Sequence, residues 1–472
     1  MIAGNGTRIA LRSAQDRILV HDGDASYTGS QLDSAVDVLA HDIHERTGGT
    51  GEIGLWGWNS AELLVAHLAI ERAGLTRVPV DPAAPHTEAV RLFDKTDVDL
   101  VLVGPQHHLD IDRPTMELTP DIWSRESAPY APRTISGVGV ALRIIRGVIG
   151  EELLAIPLSF DNWEAHMALS ERLFRDGTFG QAPGPDACYL TVQQMQYGTG
   201  LLGTFPFLRM GLPQVVLDKF DAQRVVGAVN KHAITASFMV PAMVTRIVDA
   251  LGSDKPDWNL NILCGGAPFE FQDLISCLEV LPQIAQLYGR FEGGWPLTVL
   301  SQKDHALIVH GDHSLARSVG RAVDGIELDP RPVAGSNEAE LWVRSACVSR
   351  PFSDPDGWCA LGDLVTVDDA GYYYLHGRLD GMINSGSFHI YPQEVVAAIR
   401  AEFPTVKDVH VEGKPDDRWG EAVSALLTWN GDVTPPSDQE FRDRMGRRLA
   451  KYKVPTLIDH RTERAPKAQL GN

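Results

Sequence analysis

Residues 377–395 read GRLDGMINSGSFHIYPQEV, and this stretch marks the boundary between the two parts of the chain that the sequence predicts. It follows the strand-like run 372–375 and contains a polar, glycine-rich segment at 381–387. Pro392 and Glu394 then stand where the first turn of a helix is expected. A strand, a glycine-rich segment and a helix start, in this order, predict a hinge followed by a mobile loop. The preceding sequence is typical of one long α/β body, and the following sequence of a small separate domain.

Length, charge and composition limit the classes of protein to which the chain can belong. At 472 residues the chain exceeds what one core usually supports, so a large body and a further domain are expected. The net charge of −20 argues against binding to a nucleic-acid backbone. The N-terminus resembles no signal sequence, and no apolar run is long enough to span a bilayer. Without metal-like spacing, reduced thiols are the favoured interpretation of the five cysteines. We therefore expect a cytoplasmic protein with no nucleic-acid or membrane partner.

Two glycine-bearing motifs and one carboxylate are the first candidate binding features. CGGAP at 264–268 follows a strand-like run, and its glycines leave bare backbone against which a flat ring can lie. YGRFE follows at 288–292. Asp363, in the strand-like run WCALGDL, can accept charge-assisted hydrogen bonds from two hydroxyls.

Together these motifs resemble the adenylate-forming superfamily, which contains acyl-CoA ligases, nonribosomal-peptide adenylation domains and luciferases. The consensus sequence of this superfamily at the hinge is close to GRxDxxIKSGGxNIxPxEVE, and the resemblance covers nearly the whole chain. It implies an α/β fold with a large N-terminal body of two βα-layered subdomains plus a distorted β-barrel, hinged to a small α+β C-terminal domain. The expected bounds are 1–378 for the acyl-adenylate-binding body and 379–472 for the mobile domain.

The resemblance also implies an AMP site. Tyr288 is expected against the adenine, Asp363 on the ribose, and Arg378 at the ribose and α-phosphate. Glu292 takes the position of the usual magnesium ligand, and Phe291 replaces a threonine that normally touches phosphate. The implied AMP-binding residues are Gly265, Gly266, Ala267, Pro268, Tyr288, Gly289, Asp363 and Arg378.

The other implied positions concern coenzyme A and the acyl group. Asp380 is the hinge position, and the pantetheine tunnel falls on Gly386, Ser387 and Phe388, with Ser387 in place of a second glycine. His389 could assist deprotonation of the thiol or could simply be solvated.

Tyr197 and Phe238 match positions beside the acyl pocket. Tyr197 is also a catalytic candidate. Both side chains could instead belong to the core, because large aromatic residues favour burial.

The phosphate loop is where the sequence departs from the family. The family's SGTTGxPKG falls here on Arg146, Gly147, Val148, Ile149, Gly150, Glu151 and Glu152. Val148 and Ile149 remove two hydroxyl donors, and the lysine position falls on Leu153 or Leu154. Glu151 and Glu152 would repel triphosphate, each close like-charge pair costing on the order of a few kcal/mol. A divergent loop that still binds ATP is the alternative.

The C-terminal sequence lacks a second feature of adenylation. PKAQLGN at 466–472 resembles PrtxxGK, whose lysine bridges the carboxylate and the α-phosphate, and here that position is Asn472. Losing one preorganised donor can cost roughly 10²–10³ in rate. Asn472 is the natural end of the chain or the result of truncation or alteration, and the sequence leaves this open.

These losses predict a non-adenylating acyl-CoA ligase that converts acyl-AMP and CoA to acyl-CoA and AMP without Mg²⁺. Such an enzyme resembles the non-adenylating branch of platensimycin and platencin biosynthesis, which implies a bulky diterpenoid acyl group and a separate upstream adenylating enzyme. A complete ATP-dependent ligase using Lys453 or Lys467, and a non-catalytic acyl-adenylate-binding protein, are the alternatives. The thiol could belong to free CoA or to a carrier-protein arm.

Overall fold

The computed structural model describes residues 1–105, 107–149, 152–334, 337–379, 381–386, 388–416, 418–430 and 433–462, with backbone only at 149, 389 and 462. The chain divides into two compact units. The first comprises Met1–Pro82, Asp97–Ile145 and Ala155–Leu379, and the second comprises Ala83–Thr96, Arg146–Leu154 and Asp380–Asn472. Within the described ranges, no helix has the length and apolar character needed to cross a membrane.

The helices, in chain order, are α1 (Asn5–Ser13), α2 (Gly29–Thr47), α3 (Ala61–Ala73), α4 (His86–Asp94), α5 (Phe160–Arg175), α6 (Gly198–Arg209), α7 (Ala222–His232), α8 (Pro241–Leu251), α9 (Phe271–Val280), α10 (Gln302–Val309), α11 (Pro392–Glu402) and α12 (Asp438–Met445). Short 3-10 helices lie at Pro120–Trp123, His313–Arg317, Arg350–Phe352 and Lys451–Lys453.

The strands, in chain order, are β1 (Ile18–Asp22), β2 (Ala25–Thr28), β3 (Glu52–Trp56), β4 (Thr76–Val80), β5 (Val98–Val103), β6 (Thr115–Glu117), β7 (Val140–Ile149), β8 (Glu152–Ser159), β9 (Tyr189–Thr191), β10 (Gln214–Val216), β11 (Ala236–Met239), β12 (Asn261–Gly265), β13 (Ile284–Arg290), β14 (Gly294–Leu300), β15 (Ser318–Ala322), β16 (Glu327–Pro332), β17 (Ala339–Arg344), β18 (Cys359–Val367), β19 (Tyr373–Arg378), β20 (Ile383–Ser385), β21 (Phe388–Ile390), β22 (Val406–Asp416), β23 (Gly420–Trp429) and β24 (Leu457–Thr462).

The largest sheet carries the candidate AMP site. Its order is β16-β17-β18-β19-β15-β14-β13-β12-β11-β9-β10-β1-β2. The strands from β13 through β12, β11, β9 and β10 to β1 pair in parallel. Every residue of β11 and β12 is buried, as expected of a parallel sheet covered on both faces. The carboxyl ends of β12 and β13 therefore lie side by side, with Gly265 opposite Leu287.

An antiparallel meander extends this sheet beyond β13. Strands β14 to β19 pair antiparallel with their neighbours, and β18 pairs with β19 so that Asp363 faces Arg378. This register places Asp363 and Arg378, which belong to different sequence motifs, directly opposite each other in the sheet.

The second sheet has the order β6-β5-β3-β4-β7-β8, and β3 to β6 pair in parallel. Strands β7 and β8 are neighbours separated in the chain only by residues 150 and 151, so they form a β-hairpin. The expected loop at 146–152 is therefore wrong for the described residues: Arg146 to Ile149 belong to β7, and Glu152 begins β8. The β-branched pair Val148 and Ile149, which removed the hydroxyl donors, also favours a strand.

The second unit is built on a five-stranded sheet in which β21, β20, β23 and β22 are successive neighbours and β24 also pairs with β23. Helix α11 begins at Pro392 and buries Val395 and Ile399 in the core of this unit. Segments 83–96 and 146–154 also belong here, although the sequence placed them in the N-terminal body. Contacts explain this grouping, because the Thr87 hydroxyl donates to the Arg447 carbonyl at 2.7 Å.

Candidate active site

Asp363 is the centre of the polar cluster in the first unit. The Tyr288 hydroxyl donates to Asp363 Oδ2 at 2.6 Å, and the Arg378 guanidinium donates to Asp363 Oδ1 at 2.6 Å. The Asp363 residue is only 5% exposed. Sequence analysis assigned these three residues to AMP, and the structure brings them together.

Burial and charge keep the Tyr288 hydroxyl protonated. Burial, and then the adjacent Asp363 carboxylate, raise the pKa of Tyr288 well above its ordinary value. Tyr288 therefore remains a hydroxyl donor at neutral pH. An ionised carboxylate has about four acceptor sites, so Asp363 can accept a hydroxyl of a sugar while holding Tyr288 and Arg378.

The glycine motif provides a bare backbone edge beside this cluster. A β-carbon at Gly265 would lie 2.5 Å from the Leu287 carbonyl oxygen and 3.5 Å from the Phe238 ring. Gly266 has φ of +87° and is exposed, and Ala267 and Pro268 follow it. Glycine at 265 permits this close packing of β12 on β13, and the exposed backbone available to a flat ligand is that of Gly266.

Gly289 completes the implied nucleoside positions. It lies between Tyr288 and Arg290 in β13, and a β-carbon there would meet the Trp295 ring at 2.8 Å. Its small size allows Trp295 to pack against β13.

Phe291 covers the start of α6. A β-carbon at Gly198, the first residue of α6, would overlap the Phe291 ring. A helix N-terminus ordinarily favours anions, because its first N–H groups lack intrahelical partners. Here an apolar ring packs directly against the first residue of the helix, and the threonine hydroxyl expected at this position is absent.

The two acyl-pocket candidates differ in burial. Phe238 is 2% exposed and packs edge-to-face on Trp295 with ring centroids 5.1 Å apart. Its backbone N–H donates to the Tyr189 hydroxyl at 3.1 Å. Tyr197 is half-buried and is the N-cap residue of α6, with no side-chain capping bond.

Glu292 already has a protein partner. The Arg290 guanidinium donates to Glu292 Oε1 at 3.1 Å, and both residues are buried. Over the described ranges there is no group of three or more His, Cys, Asp and Glu side chains arranged to hold a metal ion. A divalent ion at Glu292 would compete with this arginine.

At the phosphate-loop position the backbone binds a protein carboxylate. Val148 is buried, and its N–H donates to Glu394 Oε1 at 3.3 Å. Gly147 is buried and Arg146 half-buried, whereas Glu152 is exposed. Gly150 and Glu151 lie outside the described residues, as does the Ile149 side chain.

Lys453, an alternative adenylating lysine, is committed to two carboxylates in this conformation. Its ammonium lies 2.9 Å from Glu88 Oε1 and 3.1 Å from Glu394 Oε1, and all three side chains are buried. Burial by itself would lower the pKa of Lys453, but Tyr452, Glu394 and Glu88 raise it above its ordinary value. Lys467, the other alternative, lies outside the described residues, as does Asn472.

The implied coenzyme A segment is described in part. Gly386 has φ of +60°, and its N–H donates to the Trp419 carbonyl at 2.7 Å. The Phe388 ring stacks on Tyr452 with centroids 3.8 Å apart. Ser387, the hinge Asp380 and the His389 side chain lie outside the described residues.

Sequence reasoning missed several participants in these clusters. Arg290 was not assigned a role, Glu394 was treated only as a helix-start residue, and Glu88 and Trp419 were not considered. The position of Glu394 near the first turn of a helix was visible in the sequence, but its contacts with residues far along the chain had no local signal.

Comparison with known proteins establishes the family. The AMP-binding enzyme family model matches residues 7–136 and 156–352, and the AMP-binding enzyme C-terminal domain model matches residues 396–472. The chain therefore belongs to the AMP-binding enzyme family. The AMP-binding part of the predicted resemblance is thereby confirmed at the level of the family. Most of the β7–β8 hairpin lies at 137–155, between the two matched stretches of the first model.

Three relatives illustrate the similarity. A medium/long-chain-fatty-acid–CoA ligase of Mycobacterium tuberculosis is 25% identical over 89% of this chain and 78% of its own length. A 2-succinylbenzoate–CoA ligase of Bacillus cereus is 24% identical over 93% of this chain and 90% of its own length. Another, of Bacillus cytotoxicus, is 28% identical over 58% of this chain and 57% of its own length, so that match spans under two thirds of the relative.

Solved structures confirm the predicted α/β organisation. o-Succinylbenzoate CoA synthetase from Bacillus subtilis, bound with its product analogue, superposes with a TM-score of 0.83 at 21% identity, covering 99% of this chain and 96% of that chain. An amide bond synthetase from Marinactinospora thermotolerans superposes with a TM-score of 0.82 at 22% identity, covering 96% and 95%. At these identities the likeness shows the fold alone.

Proposed function

We propose that this protein catalyses only the thioester-forming half-reaction, in which acyl-AMP and CoA give acyl-CoA and AMP. One observation carries the proposal: Val148, at the position of a phosphate loop, lies in a strand and donates its N–H to the Glu394 carboxylate. A backbone donor bound to a protein carboxylate is not available to a phosphate in this conformation.

The retained polar cluster supports recognition of the AMP moiety. Asp363 can accept sugar hydroxyls while it is fixed by Tyr288 and Arg378. The exposed backbone at Gly266, where φ is +87°, offers a surface for a flat base. None of these features depends on a β- or γ-phosphate.

The changes elsewhere oppose use of the triphosphate. Phe291 covers the start of α6 with an apolar ring, and Glu292 is paired with Arg290. Lys453 is held by Glu88 and Glu394. Each change removes a donor, a charge or a metal ligand that the formation of acyl-AMP from ATP would use.

The remaining reaction needs little from the protein beyond positioning. The CoA sulfur, as thiolate, attacks the acyl carbonyl carbon and forms a C–S bond. The bond from that carbon to the phosphate oxygen then breaks, AMP leaves with the electron pair, and the thiol proton passes to solvent or to a base. Because the mixed anhydride is already activated, the protein's contribution is to orient the two substrates and exclude water.

We extend the proposal to the substrate. The sequence resemblance to the non-adenylating branch supports a bulky diterpenoid acyl group and a separate adenylating enzyme upstream, and we take CoA as the acceptor. Mg²⁺ is then not required, because no triphosphate is bound. A panel of synthetic acyl-AMPs, diterpenoid, aryl and medium-chain, would rank the acyl groups by kcat/KM.

A complete ATP-dependent ligase is the second candidate, favoured by the relatives, which are named CoA ligases. The test compares two reactions of the purified protein. One contains synthetic acyl-AMP and CoA, and the other contains ATP, Mg²⁺, the free acid and CoA. We expect acyl-CoA only in the first reaction. Pyrophosphate release in the second would establish the complete ligase, and no product in either would indicate a non-catalytic acyl-adenylate-binding protein.

A further inference from the structure

Asn59 joins the carboxyl ends of parallel strands from the two sheets of the first unit. It is buried just after β3, and its side-chain amide donates to the Gln193 carbonyl at 2.9 Å and to the Leu217 carbonyl at 3.3 Å. Its Oδ1 accepts from the Met195 N–H at 2.9 Å. Gln193 follows β9 and Leu217 follows β10, in the sheet that does not contain β3. Ligands of open parallel sheets bind outside such carboxyl ends, so this junction is a favoured place for one.

An aromatic surface lies beside the junction, on residues that follow β3 and β5. The Trp58 ring is half-buried, and the Lys219 ammonium lies 4.1 Å from its centroid. The His107 ring supports Trp58, with centroids 6.0 Å apart, and contacts the buried Trp56 at 4.6 Å. The His107 Nε2 donates in turn to the Pro82 carbonyl at 3.2 Å. Trp58 is therefore a flat ring held in place from within the first unit.

Lys219 supplies the positive charge of this surface. Burial lowers the pKa of His107, so that ring is uncharged at neutral pH, whereas Lys219 is exposed. The neighbouring carboxylate, Asp218, is already paired with Arg224 at 2.5 Å. Among the residues that the structure describes, Lys219 forms no ion pair.

The contact between Lys219 and Trp58 can be exchanged for a ligand. A cation over an exposed aromatic ring is held only weakly. A purine base stacks favourably on a tryptophan ring and can take the place of the ammonium there. The ammonium is then free to form a charge-assisted hydrogen bond with a phosphate attached to the same ligand.

A short segment connects this surface to the candidate active site. The segment 193–197 is hydrogen-bonded to Asn59 and ends at Tyr197, the N-cap residue of α6. The next residue, Gly198, packs against Phe291 of the YGRFE motif. CoA has a thiol at one end and a phosphorylated adenosine at the other. A thiol site beside AMP and an adenosine site at the junction suit the two ends of this one molecule.

We propose that Trp58 and Lys219 bind the 3′-phosphoadenosine end of CoA, with the adenine stacked on Trp58 and the 3′-phosphate paired with the Lys219 ammonium. This inference rests on the proposed function, because it takes CoA as the acceptor of the acyl group. It makes free CoA the preferred acceptor, since the arm of a carrier protein has the same pantetheine but no adenosine. Trp58 and Lys219 are binding residues in this account and take no part in the chemistry.

The test compares three thiol acceptors, CoA, 3′-dephospho-CoA and pantetheine, at saturating synthetic acyl-AMP. We expect the unmodified protein to favour CoA over pantetheine in kcat/KM by at least about 100-fold. Trp58→Leu should lower kcat/KM for CoA and for dephospho-CoA by about 10-fold, the order expected for one stacked base, and leave pantetheine unchanged. Lys219→Met should lower kcat/KM about 10-fold for CoA alone.

Two substitutions elsewhere in the first unit are the matched controls. Trp342 is also half-buried and has the Arg331 guanidinium 4.0 Å from its ring centroid, so Trp342→Leu removes a similar pair. Lys255 is exposed, so Lys255→Met makes the same change in net charge as Lys219→Met. Neither control should change the ranking of the three acceptors.

Two kinetic outcomes would overturn the inference. One is an equal loss with CoA and pantetheine in Trp58→Leu and Lys219→Met, which would indicate a structural role for this surface. The other is an equal kcat/KM for CoA and pantetheine in the unmodified protein. This second comparison needs no variant, so the test remains decisive if a substituted protein does not fold.

Binding of adenosine 3′,5′-bisphosphate separates this inference from the proposed function. Titration calorimetry is performed with excess AMP, which occupies the cluster around Asp363, and it involves neither a thiol nor an acyl group. We expect the unmodified protein and Trp342→Leu to bind this probe equally, and Trp58→Leu and Lys219→Met to bind it at least about tenfold more weakly. Absence of binding to the unmodified protein would overturn the inference, whereas failure to form acyl-CoA from acyl-AMP would overturn the proposed function alone.

Discussion

Arg378 faces Asp363 across the β18–β19 pair, and its guanidinium lies 2.6 Å from the carboxylate. The Tyr288 hydroxyl reaches the other oxygen of the same carboxylate from β13. Three strands of one sheet thus fix the orientation of a single acidic side chain before any ligand is present. Preorganisation of this kind reduces the entropy lost when a ligand binds.

Asp363→Asn should raise the KM for acyl-AMP by about 10-fold to 100-fold, because a hydrogen bond to a charged group contributes roughly 1.5–3 kcal/mol. Steady-state kinetics with synthetic acyl-AMP and CoA measure the change. Asp329→Asn is the control, since Asp329 pairs with Arg331 on β16 and lies partly exposed. An unchanged KM in Asp363→Asn would remove this residue from the AMP site.

Gly265→Ala should lower stability and weaken AMP binding, because its β-carbon would meet the Leu287 carbonyl oxygen at 2.5 Å. Overpacking of this kind costs typically about 1–3 kcal/mol. Gly227→Ala, in α7, has no atom within 4 Å of its β-carbon and should be neutral or stabilising by about 0.5–1 kcal/mol. Urea denaturation and AMP titration compare the two variants, and equal effects would contradict the prediction.

Gly198 and Phe291 should be energetically coupled. Gly198→Ala alone should destabilise the protein because its β-carbon overlaps the Phe291 ring, whereas the same change in a Phe291→Ala background should cost little. A double-mutant cycle of unfolding free energies should give an interaction of about 0.5–3 kcal/mol. Additive effects would show that the ring does not cover the start of α6 in solution.

Lys453→Met should lower the free energy of unfolding by about 3–5 kcal/mol, because it leaves two buried carboxylates without their shared cation. The pKa of Lys453 is raised in the folded state, so its contribution is fully present below the ordinary lysine pKa. That contribution is lost only as the pH rises through the higher folded pKa. Denaturation at neutral pH should therefore detect the loss, and Lys451→Met, an exposed neighbour, should have little effect.

Stability should also fall in mild acid because of His166. Burial lowers the pKa of His166 to about 4, whereas the unfolded chain keeps an ordinary histidine pKa near 6.5. Between these two pKa values, His166 is protonated in the unfolded chain and neutral in the folded protein. The free energy of unfolding therefore declines as the pH falls through this range, by up to about 1.36 kcal/mol per pH unit. His166→Leu should reduce this slope, and His310→Leu, an exposed control, should not. Identical slopes in urea denaturation would contradict the assignment.

Local sequence pattern was sufficient for much of the fold. Pro392 and Glu394 predicted the start of α11, and the strand-like run before the glycine motif at 264–268 predicted β12. The resemblance to the family's motifs singled out Tyr288, Asp363 and Arg378, and the structure places these three side chains in one hydrogen-bonded cluster.

The remaining features depend on contacts between segments that are distant in the chain, and these contacts could not be predicted from the sequence. The sequence showed that Val148 and Ile149 had lost hydroxyl donors, but not that the segment would continue as a strand of the second sheet. The meeting of Glu88, Glu394 and Lys453 depends on how distant segments pack, and each residue alone has the pattern of an ordinary surface charge. Burial of a charged group follows from its partners, which no local pattern specifies.

The β7–β8 hairpin has a consequence for engineering. Grafting the family's phosphate-loop sequence onto residues 146–152 would insert glycines and a proline into two paired strands, so the strand pairing would be weakened before any nucleotide could bind. A gain of ATP chemistry would thus require redesign of the sheet edge together with α11, and a set of point substitutions confined to those seven positions should yield an unstable protein instead of a restored ligase.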